Sequence, residues 1–220
     1  MWRERLSGFY AVLDAPDLGL AEQLVAVDGA GATILQLRIK PPMPLTTFTL
    51  LSAARMARQV TKAVGALLII DDRVDIALAV DADGVHLGQR DLTVSRARQV
   101  VERSGRRPRF LIGVSTHNDS EIRQAVDDGV DYLAFGPVFM TTTKRNPELA
   151  RGLAELASAV VLAGDVAVVA IGGIAPEHAP DVARTGAAAA CAIGSVNRSV
   201  NPGAAGRLIG AAWSLRGGTS

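Results

Sequence analysis

The sequence is poor in cysteine and net charge, and each shortage excludes a class of protein. The single cysteine, Cys191, cannot form an intramolecular disulfide, so a disulfide-stapled scaffold is excluded and a reducing, cytoplasmic location is expected. A net charge of +1 over 220 residues argues against a nucleic-acid-binding surface. No apolar signal core follows the charged residues at 3–5, and polar and glycine residues interrupt the most apolar stretch, 159–175. We therefore expect neither a targeting segment nor a membrane span.

Aromatic residues make up only 4% of the chain, whereas hydrophobic residues make up 49%. A core of Val, Ile, Leu and Ala is typical of parallel sheets that are buried on both faces. Eight short apolar runs have the length of such strands. They lie at residues 9–13, 33–37, 66–70, 84–87, 110–114, 132–135, 166–171 and 188–193.

Helix-like segments follow every one of these runs. They cover residues 18–28, 45–63, 73–80, 94–104, 119–128, 147–162, 176–184 and 202–215, with Asp119 as the expected N-cap of the fifth. Eightfold strand–helix alternation predicts an α/β protein with a (β/α)8 TIM-barrel fold, one domain over residues 1–220. An open, doubly wound sheet is the alternative, since counting strands does not prove closure. A homo-oligomer is compatible with either fold.

The second apolar run carries three polar residues in alternation. Gln36, Arg38 and Lys40 share one face of a strand, and the apolar residues between them face the helices. Two cations at the mouth of a barrel need an anion, because unpaired buried charge is costly. A phosphate or pyrophosphate ligand satisfies that need, and the alternative is an internal salt bridge to carboxylates of a neighbouring strand.

Carboxylates follow the third and fourth predicted strands. Asp72 comes directly after one strand end and Asp91 comes shortly after the next. Two carboxylates beside a pyrophosphate site suit Mg²⁺, which takes oxygen ligands from protein and from substrate phosphates. The alternative for Asp72 is a helix N-cap.

The remaining strand ends carry hydroxyl and glycine residues suited to phosphate. Ser115 follows the fifth strand, and the loop after the sixth combines Thr141 and Thr143 with Lys144. The last two strands end in Gly172-Gly173 and in Ile193-Gly194, where backbone N–H groups can approach an anion closely. Together these ends predict a phosphate-binding barrel.

Five segments, in this order, resemble the thiamine phosphate synthase family over nearly the whole chain. They are residues 36–40 (QLRIK), 72–91 (DRVDIALAVDADGVHLGQRD), 113–117 (GVSTH), 132–144 (YLAFGPVFMTTTK) and 170–174 (AIGGI). The resemblance implies a (β/α)8 enzyme that joins hydroxymethylpyrimidine pyrophosphate to a thiazole phosphate, releasing pyrophosphate and forming thiamine phosphate. The expected partners are therefore these two small-molecule substrates.

The resemblance also implies roles for individual residues. Gln36 would contact the pyrimidine, and Asp72 with Asp91 would bind Mg²⁺. The pyrophosphate would be held by Arg38, Lys40, Ser115 and Lys144, of which the arginine and the two lysines are the catalytic cations. The thiazole phosphate would be held by Thr141, Thr143, Gly173, Ile193 and Gly194.

The chain departs from the family pattern at three positions. Asp71 stands where the family usually has Asn, Gly194 where Ser is usual, and Met140 where Pro is common. Asp71, placed beside the substrate site, would bind Mg²⁺ jointly with Asp72, remain protonated, or turn away to pair with an arginine. A thiazole tautomerase on the same barrel is an alternative to the synthase, but that relative carries histidine where Pro137 stands. A non-catalytic thiamine-precursor binding protein is the other alternative.

Overall fold

A computed structural model describes residues 2–25, 31–40, 46–105, 110–141 and 149–214. Eight parallel strands form a closed barrel in the order β1 to β8. They are β1 (Gly8–Leu13), β2 (Ile34–Leu37), β3 (Leu67–Asp71), β4 (Gly84–Leu87), β5 (Leu111–Thr116), β6 (Tyr132–Phe135), β7 (Ala167–Ile171) and β8 (Ala189–Ala192). The predicted (β/α)8 barrel is confirmed. The open sheet is wrong, because β1 pairs with β8 from Gly8 opposite Ala189 to Ala11 opposite Ala192.

Helices surround the barrel and connect successive strands. They are α1 (Trp2–Arg5), α2 (Leu18–Leu24), α3 (Thr47–Val64), α4 (Val74–Ala79), α5 (Val94–Arg103), α6 (Asp119–Asp127), α7 (Gly152–Ala163), α8 (Ala179–Arg184), α9 (Gly194–Asn197) and α10 (Pro202–Ser214), with a short 3-10 helix at Pro176–His178. Among the residues described, no helix combines the length and the apolar character that crossing a membrane requires.

Two apolar clusters result from the alternation of side chains along each strand. Leu35, Leu37 and Ile39 belong to the outer cluster, between the strands and the helices. Ile34, Leu67 and their counterparts on other strands fill the barrel interior. Because the strand period is two, Gln36 and Asp71 continue the inward rows above these apolar residues. Apolar packing therefore fills the barrel interior towards the amino ends of the strands, and polar side chains lie at the carboxyl ends.

Two local predictions are wrong, and two short helices were not predicted. Asn118, and not Asp119, caps α6, since its side chain accepts a hydrogen bond from the Glu121 backbone N–H. The helix predicted from residue 147 starts at Gly152, because the N–H groups of Arg151 and Gly152 donate to Pro137 and Val138 carbonyls in the loop after β6. The short helices α1 and α9 were not predicted. Four-residue helices leave too little periodicity to recognise in a sequence.

Candidate active site at the carboxyl end of the barrel

A cavity of about 690 Å³ opens at the carboxyl end of the strands. Barrels of this class place their active sites there, where the loops after the strands converge. Eight of the predicted substrate-binding residues line the cavity: Gln36, Arg38, Asp71, Ser115, Thr141, Gly173, Ile193 and Gly194. Thr143 and Lys144 lie outside the described residues.

Lys40 joins the cavity residues to the carboxylates beside them. Its Nζ lies 2.8 Å from Asp71 Oδ2 and also donates to Asp72. The Nε of Arg38 lies 3.7 Å from the same oxygen of Asp71. Burial lowers the pKa of Lys40, but the two carboxylates outweigh it and hold that pKa above its usual value. The internal salt bridge considered from the sequence is thus present, and it includes residues that line the cavity.

Asp71 faces the cavity from the end of β3. Its Oδ1 accepts a hydrogen bond of 2.8 Å from Gln36 Nε2, and its side chain is 10% exposed. Burial first, and the charge of Asp72 second, raise its pKa to about 6, although Lys40 and Arg38 oppose the shift. The arrangement in which Asp71 turns away from the site is therefore wrong, because Gln36, its hydrogen-bond donor, and Lys40, its ion-pair partner, lie at the barrel mouth.

Asp72 and Asp91 lie beside each other at the ends of neighbouring strands. Asp72 has a left-handed backbone, with φ of 60°, and its N–H donates to the His86 carbonyl over 2.8 Å. The N-cap alternative for Asp72 is wrong, since the N-cap residue of α4 is Arg73. Burial first, and the neighbouring Asp72 second, raise the pKa of Asp91. A cation between two mutually repelling carboxylates relieves this cost.

This pair of carboxylates fits Mg²⁺ by its chemistry. Within the described ranges, no group of three or more His, Cys, Asp or Glu side chains could hold a metal ion. Mg²⁺ is commonly bound by one or two carboxylates together with substrate phosphates and water. Two hard oxygen donors beside Arg38 and Lys40 therefore match a metal that arrives with a pyrophosphate.

His86 is a site residue that the sequence reasoning missed. It is buried, and its Nε2 lies 3.0 Å from Ser115 Oγ. Its Nδ1 lies 3.2 Å from the Tyr132 hydroxyl, which lies 2.8 Å from the Tyr10 hydroxyl. Burial lowers the pKa of His86 to about 4, so the imidazole is neutral at pH 7. The strand period of two could have identified it, because His86 comes two residues after Gly84 and so shares its inward face in β4.

The loops after β7 and β8 meet on the opposite side of the cavity. Gly172 and Gly173 have φ values of 97° and 64°. A Cβ at Gly173 would lie 2.4 Å from the Met140 carbonyl oxygen, so packing against the loop after β6 already requires glycine there. Gly194 begins α9, and the hydroxyl of the next residue, Ser195, donates to the Ile174 carbonyl over 2.6 Å. Ser195 therefore does not replace the hydroxyl that Gly194 lacks.

Arg198 was also missed by the sequence reasoning. It follows α9 and lines the cavity, and its Nη1 lies 3.8 Å from Asp14 Oδ2. No periodic pattern marks an arginine after a four-residue helix, so only the closed barrel brings it to the site.

Comparison with known proteins confirms the resemblance. The family model described as thiamine monophosphate synthase matches residues 9–196. A thiamine-phosphate synthase from Chloroflexus aurantiacus is 42% identical over 84% of this chain and 81% of its own length. A thiamine biosynthesis bifunctional protein from Symbiobacterium thermophilum is 40% identical over 94% of this chain, which spans 40% of that protein's length. A solved thiamine phosphate pyrophosphorylase from Pyrococcus furiosus has a TM-score of 0.83, with 30% identity over 98% of both chains. The chain therefore belongs to the thiamine monophosphate synthase family.

Proposed function

We propose that this protein condenses hydroxymethylpyrimidine pyrophosphate with a thiazole phosphate to give thiamine phosphate and pyrophosphate. The observation that carries the proposal is a set of contacts that starts at the cavity wall. Arg38 and Lys40 meet at Asp71, Lys40 also contacts Asp72, and Asp72 lies beside Asp91. The glycine loops after β7 and β8 line the other side of the cavity. Family membership supports it as a transferase of thiamine biosynthesis.

Arg38 and Lys40 would hold the leaving pyrophosphate. As the carbon–oxygen bond breaks, its electron pair passes to the pyrophosphate, and cationic donors stabilise the growing negative charge. Arg38 offers its donors at the cavity wall, whereas Lys40 would exchange a contact with Asp71 for one with the anion. Ser115 would add a hydroxyl donor, and Lys144 is proposed as a further cation from the sequence alone.

Asp72 and Asp91 would hold Mg²⁺ beside the pyrophosphate. When bound, the ion neutralises phosphate charge and so makes pyrophosphate a better leaving group. The protein contributes the position of the two carboxylates, which the left-handed backbone of Asp72 and the hydrogen bond from Gly88 N–H to Asp91 maintain.

The thiazole phosphate would lie against the loops after β6, β7 and β8. Its phosphate would accept hydrogen bonds from the Thr141 hydroxyl and from backbone N–H groups at Gly173, Ile193 and Gly194, with Thr143 proposed from the sequence. The thiazole nitrogen would then attack the methylene carbon from which the pyrophosphate departs, and so form the new carbon–nitrogen bond. Catalysis is positioning and charge neutralisation, and it requires no nucleophile from the protein.

The lining residue Pro137 favours a synthase over a tautomerase. A tautomerase must move a proton, and the relative considered above has a histidine at this position. Pro137 lines the cavity and cannot transfer a proton.

A direct assay tests the proposal. The purified protein is mixed with both precursors, and thiamine phosphate is followed with Mg²⁺ and with a chelator. We expect product only when Mg²⁺ is present. Full activity in chelator would reject the metal assignment, and binding of both precursors without product would favour the non-catalytic alternative.

A further inference from the structure

The amide of Gln36 has one orientation imposed on it by Asp71. Gln36 is 4% exposed, lines the cavity, and donates from Nε2 to Asp71 Oδ1 over 2.8 Å. An ionised carboxylate can only accept hydrogen bonds, so it selects the amide nitrogen of its neighbour. Lys40, 2.8 Å from the other carboxylate oxygen, favours the ionised form.

This orientation determines what Gln36 presents to a ligand. Within the part of the chain that the structure describes, Oε1 of Gln36 accepts no hydrogen bond, and Nε2 has a second hydrogen beyond the one that Asp71 accepts. A glutamine amide presented in this way offers one acceptor beside one donor. That pair matches an amino group next to an unprotonated ring nitrogen, as glutamine matches adenine.

We propose that Asp71 determines substrate specificity by fixing the Gln36 amide, so that the site accepts an aminopyrimidine and rejects its oxo counterpart. In the oxo compound a carbonyl replaces the amino group and the neighbouring ring nitrogen carries a proton, which reverses donor and acceptor. Binding it would require the Gln36 amide to flip, and the flipped Oε1 would face the Asp71 carboxylate.

Asparagine at position 71 would remove this constraint. An asparagine amide can itself turn and present either its oxygen or its nitrogen to Gln36. Both orientations of Gln36 would then be satisfied, and the site would accept either ligand edge. The departure of this chain from its family at position 71 thus has a consequence for specificity.

The inference rests on the proposed function and is tested by binding. Calorimetry at pH 8 with Mg²⁺ and without thiazole phosphate measures Kd for hydroxymethylpyrimidine pyrophosphate and for its oxo analogue. We expect the wild type to prefer the amino compound by on the order of tenfold to a hundredfold. The preference of Asp71→Asn should fall towards unity, chiefly because the oxo compound binds better. Both compounds carry the same pyrophosphate, so removing a charge beside it alters both affinities alike. The ratio of the two Kd values therefore isolates the effect on Gln36.

Two further variants complete the experiment. Gln36→Met removes the amide and should also abolish the preference, whereas Asp75→Asn removes a carboxylate that pairs with Arg73 and should keep it. An unchanged ratio in Asp71→Asn, or no preference in the wild type, overturns the inference. Failure of the wild type to form thiamine phosphate in the separate condensation assay would instead reject the proposed function.

Discussion

Charged side chains at the mouth of the barrel compensate one another in the structure. Arg38 and Lys40 lie against Asp71, and Lys40 also contacts Asp72. An arriving pyrophosphate would compete with these carboxylates for the same cations. At the scale of single residues, function depends on whether each cation contacts a carboxylate or the pyrophosphate when the ligand is bound.

Replacing Arg38 should affect turnover far more than folding. Arg38→Ala removes a charge-assisted contact to the leaving anion, and we expect kcat/KM to fall by roughly a hundredfold. Lys62→Ala is the control, because Lys62 is exposed in the last turn of α3. Steady-state kinetics and thermal unfolding of both variants provide the measurement. Wild-type turnover in a folded Arg38→Ala protein would remove this residue from the catalytic set.

Asp71 and His86 should affect stability in opposite directions over the same pH window. Burial, and then Asp72, raise the pKa of Asp71 from 3.8 to about 6, so its contribution to stability falls as pH rises from 4 to 6. Burial lowers the pKa of His86 from 6.5 to about 4, so its contribution is full above pH 6.5 and is lost as pH falls towards 4.

Single variants should separate the two effects in urea unfolding measured across pH. The free energy of unfolding of Asp71→Asn, relative to wild type, should rise between pH 4 and 6, by at most about 3 kcal/mol. The same difference for His86→Gln should fall between pH 4 and 6.5. If the difference in the free energy of unfolding between variant and wild type does not change with pH, for either variant, the corresponding pKa shift is contradicted.

At the scale of single elements, caps and loop contacts decide where helices begin. The side chain of Asn118 accepts from Glu121 N–H over 3.0 Å and donates to the Glu121 carboxylate over 2.9 Å. The start of α7 is decided differently, by backbone hydrogen bonds to the loop after β6.

The cap of α6 gives a prediction with a neighbouring control. Asn118→Ala should lower the free energy of unfolding by about 1 kcal/mol, because it leaves a helix N–H without its acceptor. Asp119→Ala removes only a favourable charge from the first turn and should cost no more than a few tenths of a kcal/mol at moderate salt. Chemical denaturation of both variants compares them. An equal or larger cost for Asp119→Ala would identify Asp119 as the cap after all.

For the whole molecule, ligand binding should stabilise the folded barrel. All eight strands, several of them with the loops that follow, contribute residues to one cavity, so a ligand there contacts groups that separate on unfolding. Pyrophosphate at a hundred times its Kd should add about 2.7 kcal/mol to the free energy of unfolding. That corresponds to a rise in Tm of roughly 5–10 °C for a chain of this size.

Removing the metal should reduce the stabilisation of the folded barrel by pyrophosphate. A thermal shift with pyrophosphate should be larger with Mg²⁺ than with chelator. Asp72→Asn should lose most of that difference, and Asp75→Asn, an exposed carboxylate nearby, should retain it. A shift that is identical with and without Mg²⁺ would argue against the Asp72–Asp91 metal site.

Much of the site could be predicted because strands repeat with a period of two. The alternation around Gln36 and Arg38 indicated their inward face, and the structure places both at the cavity. The contacts of His86 could not be predicted, since they join residues 29 and 46 positions apart in sequence. The assigned roles of these residues in binding and catalysis remain predictions.

The sequence by itself determined the number of strands, their inward and outward faces, and the family to which the chain belongs. These properties depend on short-range periodicity and on local motifs, which are complete within a few residues. Closure of β8 onto β1, the pairing of Asp71 with Gln36 and Lys40, and the approach of Asp72 to Asp91 were decided only by the tertiary structure. The reason is physical: hydrogen bonding and charge interaction act over a few ångströms, and only the closed barrel brings these groups within that range.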